Sequence, residues 1–237
     1  MKAPPAISPT LRPTLTRRAL IPLIATTLTL PPPKAALAKP YSDPRFSLVL
    51  PDGFATSKRT AKEGTIFVAG NFVKGAVVSV CAWPLEPLLR EDALLQALPG
   101  IEPPPPAKLP PSVRTLADVE NALGGTDNLA RVLMRRRDRE SSSGALTSVL
   151  KAVSADDGQD RLVWSATTDL PVADPEELYK QRGIRGLLRV TNAASFLGTV
   201  DDSPAIVTIF GSVLESDYAE FGPLLESSVS SFALAKS

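Results

Sequence analysis

Nine prolines lie between Pro84 and Pro111, four of them consecutive at Pro103 to Pro106. Each fixes φ and removes a backbone donor, so no regular helix or central strand is expected to run through the cluster. The chain is thereby divided, and any sheet must be assembled from one stretch before Pro84 and another after Pro111. Residues 98–111 read as an exposed extended loop and rigid connector, preceded at most by a short helix over Glu91 to Ala97. A proline-rich peptide ligand is the other reading of such composition.

Strand signals flank this divide. Phe46, Leu48 and Leu50 alternate with smaller or more polar neighbours, and Pro51-Asp52-Gly53 ends the run with turn chemistry. Thr65 to Phe72 and Ala76 to Trp83 follow, joined by Asn71 to Gly75, which makes an antiparallel hairpin the economical pairing. Beyond the prolines, Ala145 to Ser154 and Arg161 to Leu170 frame the polar turn 156–160. Leu187 to Thr199 and Ala205 to Val213 frame the turn Asp201-Asp202-Ser203-Pro204. In the last run Ile206, Val207, Ile209 and Phe210 are apolar on both faces, the mark of a central strand.

Helix signals are fewer and sharper. Thr115 stands three residues before Asp118, a capping box feeding Leu116, Val119 and Leu123, and Gly124-Gly125 stops that helix. A second helix over Leu129 to Glu140 carries Leu129, Val132 and Leu133 at helical spacing together with Arg131, Arg135, Arg136, Arg137 and Arg139. Those arginines read either as a solvated face or as an electrostatic contact with an acidic partner or a lipid surface. Asp174 caps a short helix at Pro175, and Pro223 to Phe232 reads as a final helix with Pro223 as its first residue. About seven strands joined mostly by hairpins, with helices mid-chain and at the end, define an α+β class: an antiparallel β-sheet flanked by helices.

The N-terminus is expected to be an address. Residues 1–38 hold five of the 26 basic side chains (Lys2, Arg12, Arg17, Arg18, Lys34) and none of the 25 acidic ones. Arg17-Arg18 precede the apolar run Ala19 to Leu30, and Ala36-Leu37-Ala38 supplies the small residues of a cleavage site. That run is too short for a spanning helix, which needs about 20 residues. The arginine pair points to twin-arginine export, and the Pro, Thr, Ser and Ala of residues 2–16 resemble a transit peptide placed before it. A bipartite chloroplast thylakoid-lumen address fits, with a bacterial periplasmic address as the alternative. The remaining residues 39–237 then carry 21 basic against 25 acidic groups, a net charge of −4. Such a balance argues against nucleic acid as a partner.

Two residue types narrow the chemistry. The chain has no histidine, which removes Ser-His and Cys-His nucleophile pairs, histidine bases and the usual histidine zinc sites. Its single cysteine, Cys81, can form no internal disulfide and reads as a buried small hydrophobe. No phosphate-binding loop or dinucleotide fingerprint is present, and the chain is expected not to be an enzyme and to bind no cofactor tightly. Asp156, Asp157 and Asp160 could offer oxygen to calcium, but they lack the alternating ligands and distal glutamate of a helix-loop-helix site, and a solvated turn is the alternative.

The segment Phe46-Ser47-Leu48-Val49-Leu50-Pro51-Asp52-Gly53-Phe54, the hairpin ending in Val77-Val78-Ser79-Val80, and the terminal Tyr218 to Glu226 with Val229-Ser230-Ser231-Phe232 together resemble the PsbP family. The match occupies the first and last thirds of residues 39–237, while residues 84–144 carry little of it and read as a proline-rich and arginine-rich insertion. The resemblance implies an α-β-α sandwich and a non-catalytic protein of the thylakoid lumen. It further implies a protein peripheral to photosystem II or another thylakoid membrane complex, acting in calcium retention at the oxygen-evolving complex or in photosystem assembly. A lumenal assembly chaperone or peptide-binding module is the alternative. Lys58, Arg59 and Lys62 become docking candidates because they follow the first strand near the N-terminal attachment region of that family, and Arg135, Arg136 and Arg137 join them from the insertion.

Overall fold

The computed structural model describes residues 38–58, 64–95, 105–109, 113–140, 146–156, 158–200 and 202–235. Among the described residues ten strands and five helices follow one another in the order β1 (Lys39–Asp43), β2 (Phe46–Leu50), β3 (Ala55–Thr56), β4 (Thr65–Asn71), β5 (Ala76–Pro84), α1 (Leu85–Leu95), α2 (Leu116–Ala122), α3 (Thr126–Glu140), β6 (Thr147–Asp156), β7 (Arg161–Leu170), α4 (Pro175–Arg182), β8 (Leu187–Val200), β9 (Ser203–Leu214), α5 (Tyr218–Ser230) and β10 (Ala233–Leu234). Seven strands form one sheet in the order β3-β4-β5-β9-β8-β7-β6, and β1-β2-β10 form a small second sheet. All pairings are antiparallel.

Strand β9 lies at the centre, paired with β5 through Val80↔Ile209 and with β8 through Ala193↔Phe210. Both of its faces are buried, and they feed different cores. On one face Trp83, Trp164 and Phe210 pack with α1, α2 and α3, and both indole rings meet Phe210 edge-on at 6.0 and 5.6 Å. On the other face Val80, Ile209 and Val213 pack with α5 and with Phe46, Leu48 and Phe232 of the small-sheet layer. The result is the expected α+β arrangement, one antiparallel sheet flanked by helices.

Helix α1 departs from the expectation of a short helix confined to Glu91 to Ala97. It begins at Leu85, directly after the strand, and includes Pro87. Pro87 falls in the first turn, where backbone N–H groups have no intrahelical partner and a missing donor costs nothing. Burial of Leu85, Leu88, Leu89 and Ala93 holds the helix on the sheet. The connector has no regular structure across 105–109, and Ala107, Leu109 and Val113 pack against the helical core rather than standing free. Residues 96–104, which include the first two of the four consecutive prolines, lie outside the described residues.

Helix α5 likewise starts five residues before Pro223, which sits inside it. A residue before proline is normally pushed out of helical geometry by its Cβ. Here that residue is Gly222, and any Cβ on it would also come within 2.9 Å of the Tyr218 ring. The short strands β1, β3 and β10 carry no signal that their sequence could have shown, since each is defined by a partner rather than by its own alternation.

Charge groups at two turns set the acid response. Arg45 donates through its backbone N–H and guanidinium to Asp43 at 2.9 to 3.2 Å, and this side-chain bond holds the Asp43 carboxyl below its ordinary value. The backbone N–H groups of Arg114 and Thr115 do the same for Asp118, completing the expected capping box. Because both folded values are lowered, their stabilisation is complete above the ordinary carboxyl value of 3.8 and is lost as pH falls through the lowered ones. With no histidine in the chain, melting temperature is expected to be flat from about pH 5 to 8 and to fall only below about pH 4. A melting-temperature series across pH checks this, and a step centred near pH 6 would contradict it.

Candidate functional site

Helix α3 presents two arginine sets with different fates. Leu129, Val132 and Leu133 bury one stripe, and Arg137 continues it four residues beyond Leu133. Its guanidinium is turned inward, donating to Thr191 Oγ1 at 2.9 Å and Ser212 Oγ at 2.7 Å, and lies 4.8 Å from the Phe210 ring centre. Burial pushes its pKa down to about 10, with Arg189 adding repulsion, so it remains charged at neutral pH. Arg136 and Arg139 reach Glu91 of α1 at 3.4 and 3.2 Å, a carboxylate only 3% exposed. These two pairs tie α3 to α1.

A cation turned inward and held by two hydroxyls and a ring face gains less than a full ion pair would return for its desolvation. Arg137→Met keeps the volume and the contact with Phe210 while removing that penalty. Its stability is expected to stay within about 1 kcal/mol of the parent or to rise, whereas Arg137→Ala, which leaves a void, should cost about 2 kcal/mol or more. Urea titration of both variants separates packing from charge.

The second set faces outward. Arg131, Arg135 and Arg139 recur every four residues, all exposed, beside the first half of β6. Together with Met134, Asp138 and residues 146–150 they line an open groove of about 840 Å³. Arg131 and Arg135 have no carboxylate partner among the described residues. Asp138 does not neutralise them: its Oδ2 accepts from the Ser148 N–H at 3.0 Å and its Oδ1 from the Ser148 hydroxyl at 2.7 Å. Because β6 is an edge of the large sheet, this carboxylate also blocks a backbone donor on which another strand could pair.

The remaining candidates are scattered. Lys58 is exposed, while Arg59 and Lys62 lie outside the described residues, as do Arg17, Arg18, Ala36 and Asp157. Ala38 is the first described residue and is exposed just before β1. Asp156 is paired with Arg161 at 2.9 Å, and Asp160 Oδ1 accepts the Leu116 N–H at 3.0 Å, serving the start of α2. Both carboxylates thus work within the fold, and no group of three acidic, cysteine or histidine side chains gathers among the described residues. Cys81 is buried, as expected. The inward turn of Arg137 was missed, although its place on the Leu129–Leu133 stripe signalled it. No described helix is long and apolar enough to cross a membrane.

An antiparallel sheet between an α1-α2-α3 layer and an α5 layer defines a PsbP-like α+β fold. The solution structure of cyanobacterial PsbP from Synechocystis sp. PCC 6803 superposes with a TM-score of 0.51 at 17% identity, over 84% of this chain and 92% of that one. The Ran-binding protein Mog1p of Saccharomyces cerevisiae gives 0.41 at 12% identity, over 84% and 96%. LpqN of Mycobacterium tuberculosis, involved in cell envelope biogenesis, gives 0.34 at 8%, over 85% and 92%. No family model matches the chain, and no curated protein matches it either.

Proposed function

We propose that this is a non-catalytic PsbP-domain protein of the chloroplast thylakoid lumen that docks peripherally on photosystem II or another photosynthetic membrane complex. The observation that carries the reading is the likeness of fold to cyanobacterial PsbP over nearly the whole of that chain. The arginine pair at Arg17-Arg18 and the small residues ending at Ala38 support a lumenal address in front of it. Docking falls to the Arg131–Arg135 groove, with Lys58 as a further exposed cation at the other end of the large sheet. A role as a lumenal assembly factor that holds a peptide segment of its client is favoured by the same groove. Asp156 and Asp160 enter this reading as structural carboxylates, serving Arg161 and the start of α2.

Import of labelled precursor into isolated chloroplasts tests the address. A shortened product sheltered from protease inside intact thylakoids is expected, and replacement of Arg17 and Arg18 by lysine should leave the precursor outside them. A processed product that stays in the stroma would overturn the lumenal reading.

A further inference from the structure

We infer that the groove between α3 and β6 binds an extended acidic segment of a partner protein, one whose carboxylates occupy alternate positions. The inference deepens the docking reading and rests on it only for where the partner is met. Residues four apart on a helix are separated by about 6 Å along its axis. Alternate side chains on one face of an extended strand are separated by about 6.6 to 6.8 Å. The row Arg131, Arg135 and Arg139 therefore matches the spacing of such a segment laid along α3, with one carboxylate for each guanidinium.

The groove supplies the rest of the selection. Its floor is Met134, Leu146 and Leu150, partly or wholly withdrawn from water, and its wall is the edge strand β6. The lining comes from the outward face of α3 on one side and the start of β6 on the other, so an extended chain can lie along it, whereas a flat lipid surface would meet only the rim. Asp138 holds the Ser148 N–H, so an arriving segment gains no backbone bond at that position. Further along β6 the register shifts between Leu150 and Ala152, around an exposed Lys151, which also resists strand addition. Recognition therefore runs through charge, and it selects carboxylates by spacing rather than any strand by its backbone. Arg131 and Arg135 carry most of it, since Arg139 is shared with Glu91.

Fluorescence anisotropy with the full chain and labelled synthetic peptides is the test. A peptide of alternating glutamate and threonine should bind, and its glutamine analogue should not. A peptide of the same composition with its glutamates in one block should bind at least about fivefold more weakly. Arg131→Gln with Arg135→Gln should weaken the alternating peptide about tenfold, consistent with two exposed pairs. Arg131→Glu with Arg135→Glu should transfer binding to an alternating lysine peptide, a gain that a misfolded protein could not show. Lys74→Gln, in the exposed turn between β4 and β5, should change nothing. Equal affinity for block and alternating peptides, or stronger binding to vesicles of anionic lipid that survives both double substitutions, would overturn the inference. None of these readouts needs a thylakoid, so a failure here leaves the lumenal docking reading standing, and the reverse also holds.

Discussion

Trp164→Ala is expected to lower the stability of the fold by about 3 to 5 kcal/mol, the largest single-residue loss in the molecule. Trp164 is 1% exposed and sits on the sheet face beneath the α1-α2-α3 layer. Its ring meets Phe210 edge-on at 5.6 Å, and Phe210 in turn meets Trp83 and the Arg137 guanidinium. The indole N–H donates to Ser195 Oγ at 3.1 Å, which also accepts from Thr208 at 2.9 Å, and both hydroxyl residues are fully buried. Removing the ring empties the centre of the cluster and takes a donor from Ser195. Melting temperature should fall by at least about 6 °C for a domain of this size. Trp164→Phe, which fills most of the space but leaves Ser195 with Thr208 alone, should cost about 1 to 2 kcal/mol. Near-equal stability of the alanine variant would mean that the helices do not close over this face.

Gly211→Val tests the opposite face. Gly211 lies on β9, and a Cβ there would stand 2.9 Å from Leu225 Cβ, 3.2 Å from Val229 Cγ2 and 3.3 Å from the Leu225 carbonyl oxygen. Part of that obstacle is backbone, so α5 must lift from the sheet. Overpacking of this kind costs about 1 to 3 kcal/mol, and a branched side chain belongs at the upper end. Gly186→Ala, where nothing lies within 4 Å, is the control and should leave the midpoint of urea unfolding unchanged. A valine variant as stable as the parent would show that α5 does not pack through Gly211.

The parts of this fold that could be read from sequence are those whose cause is local. Alternation at Phe46, Leu48 and Leu50 and the two-sided apolar run of Ile206 to Phe210 each produced the strand they implied, the latter central between β5 and β8. Thr115 with Asp118, and Asp174, began helices as cap chemistry requires. Proline was the misleading signal. The cluster from Pro84 to Pro111 was expected to exclude a regular helix and Pro223 to begin one, yet Pro87 and Pro223 both lie within helices, Pro87 in a first turn where no donor is needed and Pro223 after a glycine with no Cβ to clash.

The candidate site was legible only in part. Five arginines in one helix were visible as a cluster, but a cluster says nothing of direction. The periodicity that buries Leu129 and Leu133 carries Arg137 inward and leaves Arg131 and Arg135 outward, and only the neighbouring β6 edge turns the outward pair into a groove. The contact of Asp138 with Ser148 joins residues ten apart across a connection that no local rule predicts. The aspartates at 156 and 160, read in sequence either as calcium ligands or as a solvated turn, act as a strand-end ion pair and a helix-start acceptor in the fold.

Thylakoid membranes fractionated by native electrophoresis, before and after a high-salt wash, test the docking account most directly. The account predicts that the mature protein comigrates with a photosynthetic complex, is released by salt as an electrostatic contact should be, and is released at low salt once Arg131 and Arg135 are replaced by glutamine. Recovery of the unaltered protein only as a free lumenal monomer at low salt would contradict it.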